Sequence, residues 1–145
     1  IGYKEKMNNQ ILSENNQKSK DENKKDFYLK SSKKLISFFN NTINRRNPSV
    51  DLIMSSPTGC MVITEVMKSY YLNTNLSKQD LVNKVVSGVS LSMNQSSVYK
   101  IVDKAIKNQI FSSVLKEDDK RVRLIVPTNQ TVNDMEKWFD EINLV

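Results

Sequence analysis

The sequence predicts a mainly α-helical fold with one small β-hairpin, and three local patterns indicate it. A helix with an apolar stripe begins after Ser77, a second, basic helix ends near Lys107, and two β-branched runs then flank a charged turn at residues 116–121. Helix, turn, helix and hairpin in this order make a winged helix-turn-helix, with one further helix flanking it on each side. We expect a single domain over residues 25–145, with a winged-helix core at residues 58–127.

The first helix of the pair has a recognisable start and end. The Ser77 hydroxyl can cap the first free amides, and Asp80 lies in the first turn, where the helix dipole favours an acid. Ser87-Gly88 breaks the apolar run, and Gly88 can take a positive φ after the helix end. The apolar stripe of this helix consists of Leu81, Val82, Val85 and Val86.

The second helix, expected to begin between Ser92 and Ser96, has a polar and basic exposed face. Amides and hydroxyls in its first turn can bond base edges and phosphates. The alternative is that these side chains only cap the helix, and the sequence leaves both open. Its buried face is expected to hold Val98, Ile101, Val102, Ala105 and Ile106. Its candidate nucleic-acid contacts are Asn94, Gln95, Ser96, Ser97, Tyr99, Lys100 and Lys104.

Residues 110–115 and 122–126 are the two short runs that predict the hairpin. Cations at or beside its tip can reach a phosphate or the minor groove, where negative potential attracts Arg. The alternative is an ordinary solvated loop. The candidate residues of this wing are Asp119, Lys120, Arg121 and Arg123.

Three segments of this region resemble the core of the MarR family of transcription regulators. They read SVYKIVDK at residues 97–104, NQI at 108–110 and DDKRVRL at 118–124. That family has a recognition helix of the type S/T-V-x-R-x-V-D-x-L and a wing of the type D-x-R-x-x-x-L-x-L-T. The resemblance covers roughly residues 55–143. The sequence departs from the family pattern in three ways. Gln109 stands where the family has a Gly, the connection over residues 87–94 is longer than usual, and the C-terminal part is short.

The resemblance implies sequence-specific binding of double-stranded DNA by a homodimeric transcription regulator. The recognition helix would enter the major groove by its N-terminal half, with Tyr99 touching backbone or a thymine methyl. The wing would lie on the minor groove or the backbone, with Asp119 holding Arg121 in position. Two copies would read half-sites about one helical turn apart. The alternative from a different class is a winged-helix module for protein–protein assembly, with no specific DNA target.

The resemblance also implies how two copies associate and what they bind besides DNA. The N-terminal helix, with Phe27 and Ile43, and the C-terminal helix, with Val132 and Ile142, would build the dimer. A small apolar effector would fit a pocket between the aromatic helices. The residues expected around that pocket are Phe38, Phe39, Tyr70 and Trp138.

The N-terminal third divides into a polar part and an aromatic helix. Residues 1–24 are polar, and we expect a tail that is disordered or becomes ordered against a partner. Residues 25–46 are expected to form a helix that Asn47-Pro48 stops. Its wide apolar stripe either crosses the domain's own core or packs on a second copy. The stripe consists of Phe27, Tyr28, Leu35, Ile36, Phe38, Phe39 and Ile43.

Two further helices complete the fold. One follows Pro57, with Ser56 or Thr58 as cap, and carries Cys60 in its first turn. Cys60 is interpreted as a half-buried hydrophobe, with a redox-sensing thiol as the sharper alternative. The last helix has Thr131 as candidate cap and packs on the first helix, within one chain or across a dimer axis. The apolar residues of these two helices are Val62, Ile63, Val66, Met67, Tyr70 and Tyr71, then Val132, Met135, Trp138, Phe139 and Ile142.

Composition narrows the function further. The net charge is +6 and the sequence pI is about 9.4, and residues 77–126 hold nine basic and five acidic residues. This favours an anionic partner on a localised face. The absence of His excludes His-based catalysis and His metal sites, and a single Cys excludes an internal disulfide. The three glycines are isolated, so they form no glycine-rich phosphate loop, and no apolar run reaches the roughly 20 residues that span a membrane. We therefore expect a cytoplasmic binding module, not an enzyme, with no cofactor, no metal and no membrane span.

Overall fold

The computed structural model of the chain describes residues 2–88 and 94–143. Within them the order of elements is the predicted winged helix-turn-helix with a flanking helix at each end, so the expected fold class is confirmed. The elements are α1 (Gly2–Asn44), α2 (Pro48–Ser55), α3 (Pro57–Tyr71), α4 (Lys78–Gly88), α5 (Gln95–Lys107), β1 (Phe111–Leu115), β2 (Arg123–Pro127) and α6 (Asn129–Asn143).

Side-chain caps define where the short helices start. Asn47 Oδ1 accepts a hydrogen bond from Val50 N at 2.9 Å, and Ser56 Oγ accepts one from Gly59 N at 2.9 Å. A proline follows each cap at the first helical position, where its missing N–H costs nothing. Ser77 Oγ caps α4 by accepting from Asp80 N at 3.0 Å, as the sequence predicted.

The core lies where α3, α4 and α5 meet the hairpin and α6. The predicted stripe of α4 is buried at Leu81, Val82 and Val85, with Val86 partly buried. The stripe of α3 ends earlier than expected, because Tyr70 and Tyr71 are half exposed. The buried apolar residues are Val50, Ile53, Val62, Ile63, Val66, Met67, Leu76, Leu81, Val82, Val85, Val98, Val102, Ala105, Ile110, Phe111, Ile125, Met135 and Trp138.

The hairpin is antiparallel and is fixed at its base to the segment before α4. The register places Phe111 opposite Pro127 and Leu115 opposite Arg123. Ser77 bridges antiparallel to Leu124 of β2, and Ile125 N donates to Leu76 O at 2.8 Å. This third, minimal strand orients the wing relative to the helix pair.

Gln109 takes the backbone conformation that its position requires. Its φ is 60°, in the left-handed region that favours glycine. Gln109 N donates to Ile106 O at 3.1 Å and Ile110 N donates to Ala105 O at 2.9 Å, which is the Schellman pattern of a helix end. The replacement of the family's Gly therefore leaves the turn into the wing intact, with a side chain held in a strained conformation.

Two predicted details of helix ends are wrong. Gly88 is the last residue of α4, and no described glycine has a positive φ. Thr131 is not the cap of α6. Thr128 is, because its Oγ1 accepts from Thr131 N at 3.3 Å and the helix starts one turn earlier. The expected start of α5 overlaps residues 89–93, which lie outside the described residues. The described start is Gln95, capped by Asn94.

The first helix is much longer than predicted. It begins at Gly2, so the polar segment of residues 2–24 is helical and continuous with the aromatic part. Residues 3–44 contain no Gly or Pro, and Glu, Lys and Gln are good helix formers, so propensity permits a helix where hydrophobic periodicity gave no sign of one. All residues from 2 to 36 are exposed. Burial on this helix begins at Ser37: Phe38 packs against the core and Thr42 is buried.

The last helix packs on the first helix of the same chain. Trp138 Nε1 donates to Thr42 Oγ1 at 2.9 Å, and the Phe38 and Trp138 ring centroids lie 5.5 Å apart in an edge-on arrangement. Arg45 forms an ion pair with Glu141 beside them. Of the two arrangements that the sequence left open for α6, this is the intrachain one. No helix among the described residues is both long enough and apolar enough to cross a membrane.

Candidate nucleic-acid interface

The start of α5 divides the sequence candidates into capping and free side chains. Asn94 Oδ1 accepts from both Ser97 N at 2.8 Å and Ser97 Oγ at 2.9 Å. Asn94 and Ser97 therefore form the helix cap, as in the interpretation that gave these side chains a capping role only. Ser96 and Lys100 are exposed on the same helix, and so is Lys104 one turn later.

The DNA-contact interpretation expected the Tyr99 side chain to point freely outward, but in the structure it packs on α4. Its hydroxyl donates to Gln79 Oε1 on α4, and Lys78 Nζ lies 5.6 Å from the centre of its ring. Lys78 also forms an ion pair with Asp103, one turn further along α5. Tyr99 therefore fixes the angle between α4 and α5, and any contact of its ring with DNA would be made from this fixed position.

A polar network on α4 was missed at the sequence level. Asn83 Oδ1 accepts from Gln79 Nε2 at 3.0 Å and from Gln95 Nε2 at 3.2 Å. The signal was present in the spacing, because Gln79 and Asn83 are four residues apart on the side of α4 opposite its buried valines. The network holds Gln95 at the exposed start of α5 and adds Lys78, Gln79 and Asn83 to the candidate face.

The wing tip is organised around Asp119. Its Oδ1 lies 3.2 Å from Arg121 Nε and accepts from Arg121 N, also at 3.2 Å. This is the arrangement that the resemblance implied. The Arg121 side chain is 93% exposed, so its guanidinium remains open to solvent despite this contact. Lys120 and Arg123 are exposed beside it. Lys116 Nζ lies 3.7 Å from Asp118 Oδ1 in the same loop.

The candidates fall into two groups, one on α4 and α5 and one on the wing. Among the described residues, no hydrogen bond or ion pair joins the two groups. Lys100, Lys104, Lys120 and Arg123 make no ion pair within the described part of the chain. The face therefore presents uncompensated positive charge at two separate places.

The aromatic pocket expected for an effector is not formed as predicted. Phe38 and Trp138 pack directly on each other, and Tyr70 instead packs its ring on Tyr71 at 5.3 Å. A cavity of about 670 Å³ lies elsewhere, between α2 and α5. Its lining combines apolar and polar groups: Pro48, Asp51, Leu52, Ser55, Ser56, Ile101, Lys104, Ala105, Asn108 and Ile110.

Cys60 lies in the first turn of α3 and is half-buried. Burial raises the pKa of the Cys60 thiol above its usual value, which lowers the thiolate fraction at neutral pH. This favours the interpretation of Cys60 as a packing residue over that of a reactive sensor.

No protein-family model and no curated protein sequence matches the chain. Among solved structures it is similar to the transcriptional regulator Tm0710 of Thermotoga maritima (TM-score 0.45, 15% identity), over 64% of this chain and 61% of that one. It is also similar to YusO of Bacillus subtilis (TM-score 0.46, 14% identity, 81% of this chain and 77% of that one). A third similar structure is the heme sensor protein PefR of Streptococcus agalactiae in complex with heme (TM-score 0.45, 17% identity), over 79% of this chain and 74% of that one.

The match thus spans less than two thirds of the Thermotoga protein. With TM-scores below 0.5 and identities below 20%, these likenesses are too weak to assign a function.

Proposed function

We propose that this chain is a MarR-like transcription regulator that binds double-stranded DNA sequence-specifically as a homodimer. The supporting observation is the uncompensated charge on α5 and the wing, the two elements that a winged helix presents to DNA. Lys100 and Lys104 on α5 and Lys120 and Arg123 at the wing are exposed, and none has an acidic partner among the described residues. Phosphates would supply the missing counter-charge.

The contacts of α5 assign separate roles to its side chains in this proposal. Gln95 and Ser96 are exposed at the N-terminal end of α5 and would meet base edges in the major groove. Asn94 and Ser97 hold the start of the helix, where free amides favour a phosphate. Tyr99 keeps α5 at a fixed angle to α4. Lys100 and Lys104 would bind phosphates.

The wing would follow the minor groove or the adjacent backbone. Arg121, held by Asp119, is the side chain best placed for the narrow groove, because its guanidinium is oriented but still exposed. Lys120 and Arg123 would bind phosphates on either side. These contacts position the protein, and α5 carries the sequence preference.

The homodimer would use the N-terminal helix with Phe27 and Ile43, together with the C-terminal helix with Val132 and Ile142. Its support is the exposed apolar surface of α1, where Phe27 is 65% and Ile43 58% exposed. Two copies would read half-sites about one helical turn apart. A small apolar effector would find room in the cavity between α2 and α5.

The test is the affinity for a random-sequence duplex across a salt series, with Lys100→Ala and Arg121→Ala compared with the unchanged chain. Each substitution should weaken binding and lower the slope of log affinity against log salt by about one. Lys137→Ala, an exposed lysine on α6, is the charge-matched control and should change neither.

Unchanged affinity and slope in both variants would show that the proposed face is wrong. No duplex binding by the unchanged chain, even at low salt, would move the function to a protein partner.

A further inference from the structure

The N-terminal part of α1 is a helix without a packing partner in its own chain. α1 has 43 residues and is therefore about 64 Å long, and every residue from 2 to 36 is exposed. Most helical stability in proteins comes from packing one face against something else. A mostly polar helix of this length therefore needs a surface to pack on.

One face of α1 carries a heptad pattern. Starting at Met7, residues recur at alternating spacings of four and three on one stripe, here called the seam. Tyr28 and Leu35 on it are 60% and 57% exposed, so the seam is free over the part of the helix that leaves the body. In chain order the seam consists of Met7, Ile11, Glu14, Lys18, Asp21, Lys25, Tyr28, Ser32, Leu35 and Phe39.

The middle of the seam consists of charges that alternate in sign. Glu14, Lys18, Asp21 and Lys25 follow one another at seam positions, and apolar residues lie before and after them. In the described part of the chain none of the four belongs to an ion pair. A parallel pair of these helices would place each charge opposite its own copy, which is repulsive at all four layers.

We propose that α1 pairs with α1 of a second copy as an antiparallel coiled coil, with the two-fold axis between Ser19 and Lys20. In this register Glu14 faces the partner's Lys25, and Lys18 faces the partner's Asp21. Every charge of the seam then meets the opposite sign, and each such layer occurs twice by symmetry. Ile11 faces the partner's Tyr28, which adds one apolar layer on each side of the charged layers.

Neighbouring registers match fewer charges. A slip of one heptad one way pairs Ile11 with the partner's Leu35, but it places Glu14 opposite the partner's Ser32 and Lys18 opposite the partner's Tyr28, leaving these two charges unmatched. A slip the other way places Lys25 opposite the partner's Met7 and Asp21 opposite the partner's Ile11, which also leaves two charges unmatched. Polar seam residues thus specify orientation and register, at some cost in stability. The inference rests on the homodimer of the proposed function but not on DNA binding. It replaces the contact between the two C-terminal helices, because α6 packs at Thr42, which in this register lies about 67 Å along the axis from its copy.

The first test is charge reversal within the seam, with dimer dissociation measured by sedimentation in the absence of DNA. A basic seam (Glu14→Lys with Asp21→Lys) and an acidic seam (Lys18→Glu with Lys25→Glu) should each raise the dissociation constant at least tenfold. Mixing the two variants should restore a dimer, which also shows that both fold. Glu5→Lys with Asp26→Lys makes the same charge change as the basic seam, on the outer face of α1, and should have little effect.

The second test measures orientation by spin-label distances in a Cys60→Ser background. A label at Glu5→Cys should lie about 43 Å from its copy in the proposed register, about 54 Å after the first heptad slip, and within about 20 Å in a parallel pair. A label at Ser19→Cys, next to the axis, should lie within about 20 Å of its copy.

A short distance at position 5, or seam variants that dimerise like the unchanged chain, would overturn the inference. If such variants still bind duplex as dimers, only this inference fails and the proposed function stands. A monomeric chain would overturn both the inference and the homodimer, whereas a dimer that binds no duplex would overturn the DNA-binding proposal alone.

Discussion

Trp138 Nε1 donates a hydrogen bond to Thr42 Oγ1 across 2.9 Å, joining residues 96 positions apart. Both side chains are buried, at 5% and 1% exposure. The Thr42 hydroxyl in turn donates to Phe38 O at 2.6 Å, one turn back along α1. The buried Trp138 therefore holds α1 on α6 through both its N–H and its ring, beside the Arg45–Glu141 ion pair.

Replacing Thr42 by Val should lower the free energy of unfolding by about 1–3 kcal/mol. The shape of the side chain is kept, but the indole N–H of Trp138 is left buried without an acceptor. Urea denaturation measures the effect. Thr42→Ser keeps the hydroxyl and loses only a methyl group, so it should preserve the hydrogen bond. A Thr42→Val variant no less stable than Thr42→Ser would contradict this account.

Replacing Gln109 by Gly should stabilise the fold. Gln109 has a φ of 60°, which costs a residue with a Cβ about 1–2 kcal/mol. Glycine removes this cost, but its greater freedom in the unfolded chain offsets part of the gain. A net gain of about 0.5–1 kcal/mol in urea denaturation is expected. Asn108→Gly is the matched control: its φ is −84°, so glycine offers no relief there and should destabilise.

Replacing Asp119 by Asn should weaken duplex binding although it removes a negative charge from the DNA-facing side. The carboxylate holds Arg121 through both its backbone N and its Nε, and an amide oxygen would hold the guanidinium less strongly. Glu117→Gln removes the same charge from an exposed position of the same loop. That control should bind slightly more tightly, since phosphate repulsion falls. If both variants change affinity alike, Asp119 contributes only its charge.

Stability at high pH should depend on Tyr71. Burial, together with a 3.1 Å hydrogen bond to Glu136 Oε1, raises the pKa of Tyr71 to about 12 from an ordinary value of 10. The neutral phenol is favoured in the folded state, so its contribution is complete below pH 10 and is lost as the pH rises from 10 to 12. The stability difference between the unchanged chain and Tyr71→Phe should shrink over that window. Glu136→Gln, which removes the negative charge beside the phenol, should weaken this trend, and a stability difference that stays constant from pH 10 to 12 would contradict the account.

The parts of the fold predicted correctly depend on signals within a few residues. The Ser77 cap, the valine stripe of α4 and the two β-branched runs each fix an element locally, and their order fixes the fold. The start of α1 could not be predicted in the same way. A polar helix has propensity but no hydrophobic periodicity, and periodicity is the stronger of the two signals.

The candidate site was predictable in outline but not in its details. The spacing of residues 94–104 identified the exposed face of α5. It did not reveal that the Tyr99 hydroxyl would bond Gln79, because that contact joins two helices 20 residues apart in sequence. The Asp119–Arg121 contact could be anticipated, since its two residues are neighbours in one turn and a family pattern contains them.

The bond from Ile125 N to Leu76 O makes the base of the wing part of the same cooperative unit as the helix pair. The amide of Ile125, which is 3% exposed, can exchange its hydrogen with solvent only when the segment before α4 separates from β2. The amide of Arg121 at the tip is held only by the exposed Asp119 side chain and can exchange through a local opening. A wing built in this way has a rigid base and a tip that adjusts, so it can follow grooves of different width without loosening the fold.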